Sequence, residues 1–518
     1  MVAAVVAQAA GEIRLAGPRG RWVLAAAVLG SSMAMLDGTV VNVALPTIGR
    51  DLHTTLAGLQ WTVTAYTLTL AGLILLGGSL GDRLGRRRIF LVGVIWFALA
   101  SALCGLSPTI GVLIAARALQ GIGGALLTPG SLAIIQATFY PDDRPKAIGA
   151  WSGLGGVAAA VGPFLGGWIV GSIGWRWIFL LNLPLAAAVV AVAARHVPET
   201  RDPTAHGRFD IAGAALAALA LTGITDALIE ASAHGLARAA VTGALGVLAG
   251  IWFVLLERRR GRPGAPTPPM LPLNVFASRQ FTAVNVVTFL IYSALGGVLF
   301  LLVLTLQVVA GYSPMAAGVS LLPATLLLLV LSARAGALAQ RIGPRWLMTV
   351  GPLITATGLL LATRIGPDAS YVADVLPAVV LFGLGLSATV APLTATMLAS
   401  ADVRHAGVAS GVNNAVARAA GLLAVAGLPL AVGLTGEAYQ NPVLLESGFQ
   451  SAMVLCAGLL VAAAALSALT IDNNVLRPAD HHPVPEPECL TCCPVGAPPL
   501  EPGSTVPAPV PSRPPGTG

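Results

Sequence analysis

The chain has 518 residues, of which 56% are hydrophobic and only 10% charged. A soluble protein of average composition is about one quarter charged, so this composition excludes an ordinary water-soluble globular fold. The net charge of +7 is interpreted as a topology signal rather than as nucleic-acid binding, because basic residues of membrane proteins collect beside helix ends.

Fourteen apolar stretches follow one another from Trp22 to Ile471. The hydrocarbon core of a bilayer is about 30 Å thick and needs about 20 helical residues per crossing. The stretches lack the alternation of barrel strands, which leaves helices as the structure that satisfies its backbone in lipid. The predicted spans are residues 22–45, 59–80, 88–107, 110–137, 147–170, 175–194, 210–231, 239–257, 281–309, 316–340, 346–364, 371–398, 406–434 and 449–471.

The basic residues predict the orientation of these spans. If the number of spans is even, most of the 29 Lys and Arg residues fall on the side of the two termini, and basic loops stay in the cytoplasm. We therefore expect a multi-pass protein of the plasma or inner membrane with both termini cytoplasmic. The lipid bilayer is its expected surroundings.

An internal repeat divides the chain. The segment Gly78-Ser-Leu-Gly-Asp-Arg-Leu-Gly-Arg-Arg ends the second span, and Gly336-Ala-Leu-Ala-Gln-Arg-Ile-Gly-Pro-Arg ends the tenth. Pro129 and Pro392 also occupy similar places in the fourth and twelfth spans. Parallel repeats of this kind are typical of transporters whose substrate site lies between the halves.

The repeat predicts four segments. They are a first six-helix bundle at residues 1–200, two inserted spans with a linker at 201–280, a second six-helix bundle at 281–475, and a disordered Pro-rich cytoplasmic tail at 476–518.

Six motifs in order give the chain a resemblance to a known family. They are Leu36 to Pro46, Gly78 to Arg87, Arg117 to Gly124, Gly153 to Gly167, Trp175 to Pro184 and Gly407 to Asn414. With these motifs the chain resembles the major facilitator superfamily, and in particular its fourteen-span drug/proton antiporter branch, over about residues 22–475.

The resemblance implies a fold and a function. The expected fold is an all-α polytopic membrane protein of the major facilitator type, with two six-helix bundles and two inserted helices. The expected function is proton-coupled export of hydrophobic or amphipathic small molecules, such as drugs, antibiotics or toxic metabolites, by alternating access. A dedicated exporter of one endogenous metabolite stays open, as does a membrane receptor or enzyme. No ATP-binding Gly-x-x-x-x-Gly-Lys-Ser/Thr motif occurs, and we expect no enzyme activity, cofactor or metal.

Asp37 and Arg117 are the candidates for proton coupling. A carboxylate inside a span is costly unless it pairs, protonates or faces water. Both residues lie about 12–14 Å below the outer ends of their helices, at the same level. A change in their separation would load and release a proton. The structural alternatives are a hydrogen-bonded Asp37 and an Arg117 that donates to backbone carbonyls.

The loop after the second span is a candidate gate. A carboxylate at a helix C-terminus is disfavoured by the helix dipole, so Asp82 needs a partner. The resemblance implies a latch between the two halves in the outward-facing state, with Arg83, Arg86 and a helix N-terminus of the other half as partners. The alternative is a basic anchor at the membrane surface. The latch residues are Gly78, Asp82, Arg83, Gly85 and Arg86.

The fifth span is rich in small residues that permit close helix packing. By resemblance it carries the antiporter motif, which is taken to seal the two halves in one state, with ordinary tight packing as the alternative. The motif residues are Gly153, Gly162, Pro163, Gly166 and Gly167.

Four further polar residues are expected to line the substrate cavity, namely Asn42, Gln120, Asn413 and Arg418. Arg418 either faces the cavity and disfavours cations or joins helix ends.

Overall fold

The computed structural model describes residues 13–202, 209–233, 236–262, 267, 269–400, 406–436 and 438–476. This part contains fourteen helices long and apolar enough to cross a membrane, which confirms the predicted fold. The predicted tail lies outside the described residues from 477 onward. The helices, α1 to α14, are Pro18–Asp51, Leu56–Leu84, Arg86–Gly105, Ile110–Thr138, Lys146–Ser172, Trp177–His196, Ile211–Ala231, Ala237–Arg260, Arg279–Val308, Pro314–Ile342, Pro344–Ala362, Tyr371–Ala399, Ala409–Ala431 and Pro442–Thr470.

The helix starts carry local signals. Thr109, Ser278, Ser313 and Asn441 each accept a hydrogen bond from a backbone N–H in the first turn of the following helix, which satisfies a donor that the helix leaves free. We call the side of the membrane where α1 begins the near side, and the side where it ends the far side.

The two halves repeat the same packing. In the first half α4 packs against α2 and α3, and α1 packs against α5 and α6. In the second half α12 packs against α10 and α11, and α9 packs against α13 and α14. Each of these helix contacts in the first half thus recurs in the second half between helices numbered eight higher, as the sequence repeat predicts. The domain boundaries near residues 200 and 280 stay predictions.

In the described ranges the halves meet chiefly where α1 packs against α9, α2 against α13 and α5 against α10. The repeat matches α2 with α10 and α5 with α13. It therefore relates the α2–α13 pair to the α5–α10 pair, and the interface between the halves is pseudo-symmetric. The inserted helices α7 and α8 pack on each other, and α7 also contacts α2 and α13. The inserted pair therefore covers one of the two seams between the halves.

A proline in α13 leaves a backbone carbonyl free to accept a hydrogen bond from α2. Pro429 lies inside α13 and has no N–H, so the carbonyl of Val425 lacks its usual intrahelical donor. Gln60 of α2 is fully buried, and its Nε2 donates to the carbonyl oxygens of Val425 at 2.8 Å and Ala426 at 2.9 Å. One side chain of the first half thus satisfies the backbone of the second.

Other hydrogen bonds between the halves also lie toward the far side. Gln307 Nε2 donates to the Val43 carbonyl at 2.9 Å, and the Tyr439 hydroxyl donates to the Thr54 carbonyl at 2.7 Å. The N–H of Leu56 donates to the Gly436 carbonyl at 3.1 Å. Among the described residues, the halves are therefore joined by hydrogen bonds at the far side.

Replacing Gln60 by Leu should favour separation of the halves at the far side. The substitution removes both donors and leaves the Val425 carbonyl unsatisfied, which costs about 1–3 kcal/mol. Spin labels at Thr55→Cys and Thr435→Cys, in a background without the native cysteines, should show a larger population at long distance. Thr357→Ala is the control, because that hydroxyl bonds only within its own helix. An unchanged distance distribution in Gln60→Leu would contradict this role.

Candidate functional site

The site centres on a buried ion pair in the first half. Asp37 of α1 is 2% exposed and Arg117 of α4 is 1% exposed. A terminal nitrogen of Arg117 donates to Asp37 Oδ2, and both side chains are shut off from solvent. The two residues that the sequence places at one level are therefore in direct contact.

Polar side chains complete the surroundings of Asp37. Gln120 Nε2 donates to Asp37 Oδ1 at 2.8 Å and to Ser101 Oγ at 3.1 Å. Asn182 Nδ2 donates to Ser101 Oγ at 2.9 Å and lies 3.4 Å from Asp37 Oδ1. Both carboxylate oxygens thus have donors, contributed by α4 and α6.

Arg117 has partners beyond the carboxylate. Its Nε donates to the Thr62 carbonyl of α2 at 3.0 Å, and a terminal nitrogen donates to Gln120 Oε1 at 2.7 Å. The guanidinium carbon also lies 4.5 Å from the ring centre of Tyr66 and 5.8 Å from that of Phe179. These contacts hold the cation in place when Asp37 is neutral, because aromatic faces attract cations.

The arrangement can exchange a proton for a change in helix contacts. A buried ion pair is neutral overall, whereas a buried charge without its partner costs several kcal/mol. Protonation of Asp37 would remove the attraction between α1 and α4 and leave Arg117 on Thr62 and Tyr66. The structural alternative for Arg117, donation to a backbone carbonyl, is present alongside the pair.

The structure places the expected cavity residues in different surroundings. Gln120 is fully buried and belongs to the Asp37 cluster rather than to an accessible cavity wall. Asn42 is partly buried, and its Oδ1 is inaccessible and has no hydrogen-bond partner. Asn413 Nδ2 donates to Asn285 Oδ1 at 3.1 Å and to Thr288 Oγ1 at 2.8 Å, so it joins α13 to α9.

The candidate latch is closed within its own half. Arg86 Nε donates to Asp82 Oδ1 at 2.9 Å, and Arg83 lies 4.5 Å over the Phe209 ring. The N–H of Asp202 donates to the Asp82 carbonyl at 2.9 Å. Among the described residues, the expected helix N-terminus of the other half is not a partner of Asp82. In this structure the halves are joined at the far side, so the latch expected for the outward-facing state stays a prediction.

Glu199 is a residue of this loop that sequence reasoning missed. It follows α6, and its carboxylate accepts the N–H of Arg87 at 3.1 Å and of Arg88 at 3.2 Å. Gly85 has φ of +119°, and a Cβ there would lie 2.6 Å from Glu199 Oε1. A negative charge at the start of α3 is stabilised by the free N–H groups and the helix dipole.

The second half repeats this cap without the charge. Asn473 follows α14, and its Oδ1 accepts the N–H of Arg345 at 3.2 Å. Gly343 has φ of +92° and would meet Asn473 if it carried a Cβ. Gly78, the remaining latch residue, faces Pro129, whose Cβ would lie 3.7 Å from an added Cβ.

The antiporter motif on α5 lies between α1 and α10. A Cβ at Gly166 would lie 2.9 Å from Val40 of α1, and one at Gly167 would lie 2.7 Å from the Met315 Cα of α10. Gly162 faces Thr39, and the Pro163 carbonyl faces Gly318. The glycines thus permit contact with both halves. Gly153 is exposed and a Cβ there would have no neighbour within 4 Å, so it takes no part in this packing.

A cavity of about 860 Å³ opens between the halves at the far side. Its lining includes Arg50, His53, Gln307, Tyr312 and Tyr439. Gln307 also forms the hydrogen bond to Val43 described above, so the cavity ends at an interhalf contact. No cluster of potential metal ligands occurs in the described ranges.

The fold and the buried pair define a class, the polytopic membrane transporters built from two repeated helix bundles. The model of the Major Facilitator Superfamily matches residues 27–426, and the chain belongs to this family. It is 37% identical over 472 residues to a puromycin resistance protein of Streptomyces alboniger, covering 88% of this chain and 92% of that protein.

Other relatives agree with this membership. A tetracenomycin C resistance and export protein of Streptomyces glaucescens is 37% identical, with 79% of this chain and 76% of that protein covered. A multidrug efflux pump of Mycolicibacterium smegmatis is 34% identical, with 76% and 78% covered. Among solved structures, a bacterial homologue of the human lysosomal transporter Spinster matches with TM-score 0.60 and 19% identity, covering 88% of this chain and 97% of that one. That likeness supports the fold.

Removing one partner of the Asp37–Arg117 pair should cost more stability than removing both. Arg117→Gln leaves a buried carboxylate unpaired and should lower the free energy of unfolding by about 3–5 kcal/mol. The double variant Asp37→Asn/Arg117→Gln should recover part of that loss. Unfolding by SDS in mixed micelles measures both values. Losses that simply add would show that the two groups do not interact.

Glu199 should stabilise the start of α3 more than Asn473 stabilises that of α11. Glu199→Ala removes the acceptor of two N–H groups and should cost about 1–2 kcal/mol, whereas Asn473→Ala removes one neutral acceptor and should cost about 0.5–1 kcal/mol. The same SDS unfolding assay compares the two, with Glu199→Asp as the conservative variant. Equal losses would contradict the dependence on charge.

Proposed function

We propose that the protein is a proton-coupled antiporter that exports hydrophobic or amphipathic small molecules by alternating access. The proposal is carried by one observation, the fully buried Asp37–Arg117 pair within a two-half transporter fold. A carboxylate in this position is costly to keep charged in a membrane, which suits a group that alternates between a proton and an ion-pair partner.

The mechanism uses contacts already in place. Protonation of Asp37 from the far side breaks its attraction to Arg117, and α1 can then move relative to α4. Because α1 also contacts α5 and α9, this movement reaches both the antiporter motif and the second half. Release of the proton on the near side restores the pair. The proton and the cargo therefore cross the membrane in separate steps of one cycle.

The halves rock about the two long seams. The α5–α10 seam is packed through Gly167 and Gly318, and the α2–α13 seam is closed by Gln60. Opening the far side requires these contacts to separate. The Asp82–Arg86 pair and the Glu199 cap stiffen the near-side loop, and we propose that this loop acts as the gate there.

The substrate class follows from the relatives. They are named for resistance to puromycin and for export of tetracenomycin C, and we propose compounds of that kind, polycyclic or aromatic antibiotics, as cargo. Relatives named for one compound support a dedicated exporter, and one named a multidrug efflux pump supports broad export. We propose the cell membrane as the location, with the near side and both termini in the cytoplasm, because the near-side loops carry the basic residues.

Asp37→Asn should abolish transport driven by a pH gradient and retain exchange without one. The neutral amide keeps the hydrogen bonds and cannot carry a proton, so we expect a drop of about 100-fold or more in gradient-driven puromycin accumulation. Everted vesicles with labelled puromycin and ethidium measure the accumulation, and counterflow in proteoliposomes measures exchange.

The matched control is Asp374→Asn, a carboxylate near the far end of the second half that is 20% exposed. It should transport like the wild type. Full gradient-driven transport by Asp37→Asn would remove Asp37 from the coupling mechanism, and wild-type protein that moves neither compound would overturn the cargo proposed here from the relatives.

A further inference from the structure

Arg418 is a cation inside the membrane that no described residue balances. The helical segment that includes α13 begins at Ala406, twelve residues before Arg418, which places Arg418 about 18 Å from the near end of the helix. Its Nε is inaccessible and has no hydrogen-bond partner, and the side chain as a whole is partly buried. No acidic residue of the described ranges forms an ion pair with it. A charged donor in this position is stabilised only by an acceptor or by water.

Two contacts between α2 and α13 show what Arg418 faces. Gln60 bonds to Val425 and Ala426 near the far side, and Leu75 lies against Gly411 near the near side. The helices run in opposite directions, so the register between these contacts sets residue 418 opposite residues 66–68. Residues 411, 418 and 425 follow one another at intervals of seven, so they share one face of α13, and the first and last of them meet α2. Arg418 therefore lies on the face of α13 toward the first half.

Tyr66 connects this position to the proton site. One face of its ring lies 4.5 Å from the Arg117 guanidinium, and its edge contacts the Phe97 ring. Tyr66 thus contacts Arg117 and lies at the level of Arg418 along α2. This arrangement places cargo and proton close enough to affect each other without sharing a group.

The charge balance at this level gives the ligand class. Asp37 and Arg117 cancel each other, so the acid of this cluster does not offset the positive charge of Arg418. We propose that Arg418 is a substrate-binding residue that pairs with an anionic group of the cargo, a carboxylate, sulfonate or acidic phenolate on an aromatic ring system. The inference rests on the proposed efflux function and adds the charge of the cargo to it. A guanidinium suits such groups, because it can donate two parallel hydrogen bonds.

An anionic cargo changes the driving force. Exchange of one proton inward for one monoanion outward moves two positive charges inward, so the membrane potential assists export. Exchange for a neutral compound moves one charge, and exchange for a monovalent cation moves none. For the wild type we therefore expect the charge moved per cycle to be largest with an anionic cargo, smaller with a neutral cargo and zero with a monovalent cation.

The test uses two probes that differ by one sulfonate. They are 8-anilinonaphthalene-1-sulfonate, which is an anion, and neutral N-phenyl-1-naphthylamine; ethidium is the cationic probe. Calorimetric titration of the protein in lipid nanodiscs, with empty nanodiscs subtracted, gives each affinity. The wild type should bind the sulfonate about tenfold or more tighter than the neutral probe, and Arg418→Gln should lose that preference while binding the neutral probe within about twofold of wild type.

Matched variants separate charge from structure. Arg418→Lys keeps the charge and should keep part of the preference. Arg334→Gln removes an exposed arginine of another span, eight residues before the near end of α10, and should bind all three probes like the wild type. Retained binding of the neutral probe shows that Arg418→Gln is folded.

Three results would overturn the inference. If Arg418→Gln lost affinity equally for the sulfonate probe and the neutral probe, the residue would be structural. If the wild type bound ethidium more tightly than the sulfonate, the site would select cations. Wild-type protein that binds none of the three probes would also end it. The puromycin experiment judges the efflux function separately, since Asp37→Asn can abolish gradient-driven transport whatever the charge preference.

Discussion

The structure depends on a single ion pair placed where water cannot reach it. Asp37 and Arg117 each cost several kcal/mol alone in this environment, and together with Gln120, Asn182 and Ser101 they form a neutral, satisfied cluster. The cluster draws residues from α1, α3, α4 and α6, so one set of polar contacts connects four helices. The proposed protonation of Asp37 would alter the contacts of all four at once.

The two halves share one arrangement of helices and differ in the polar and charged residues that they place on it. Both halves share the same helix neighbours and the same positive-φ glycine at the loop after their second helix. The first half adds Asp82 and Glu199 where the second has Gln340 and Asn473. The two acidic residues thus lie in the first half, and neutral residues occupy the matching positions of the second half. The proposed proton coupling would therefore act first on the half that contains Asp37 and Arg117.

Spans and repeats could be predicted because lipid imposes length and apolar composition on every helix. The level shared by Asp37 and Arg117 also followed from helix rise. The partners of Asp82 and Gln120 could not be predicted in this way, because side-chain contacts depend on helix rotation, which an apolar sequence does not record. Glu199 lies in a short loop with no periodicity. Gln60 had a signal in retrospect, since Pro429 must leave one carbonyl without a donor.

The inserted pair covers only one of the two seams between the halves. Because α7 packs on both α2 and α13, protein rather than acyl chains borders that seam. In the described ranges no inserted helix packs against α5 or α10 at the opposite seam. The two seams of one pseudo-symmetric interface therefore border different surroundings, protein on one flank and the bilayer on the other.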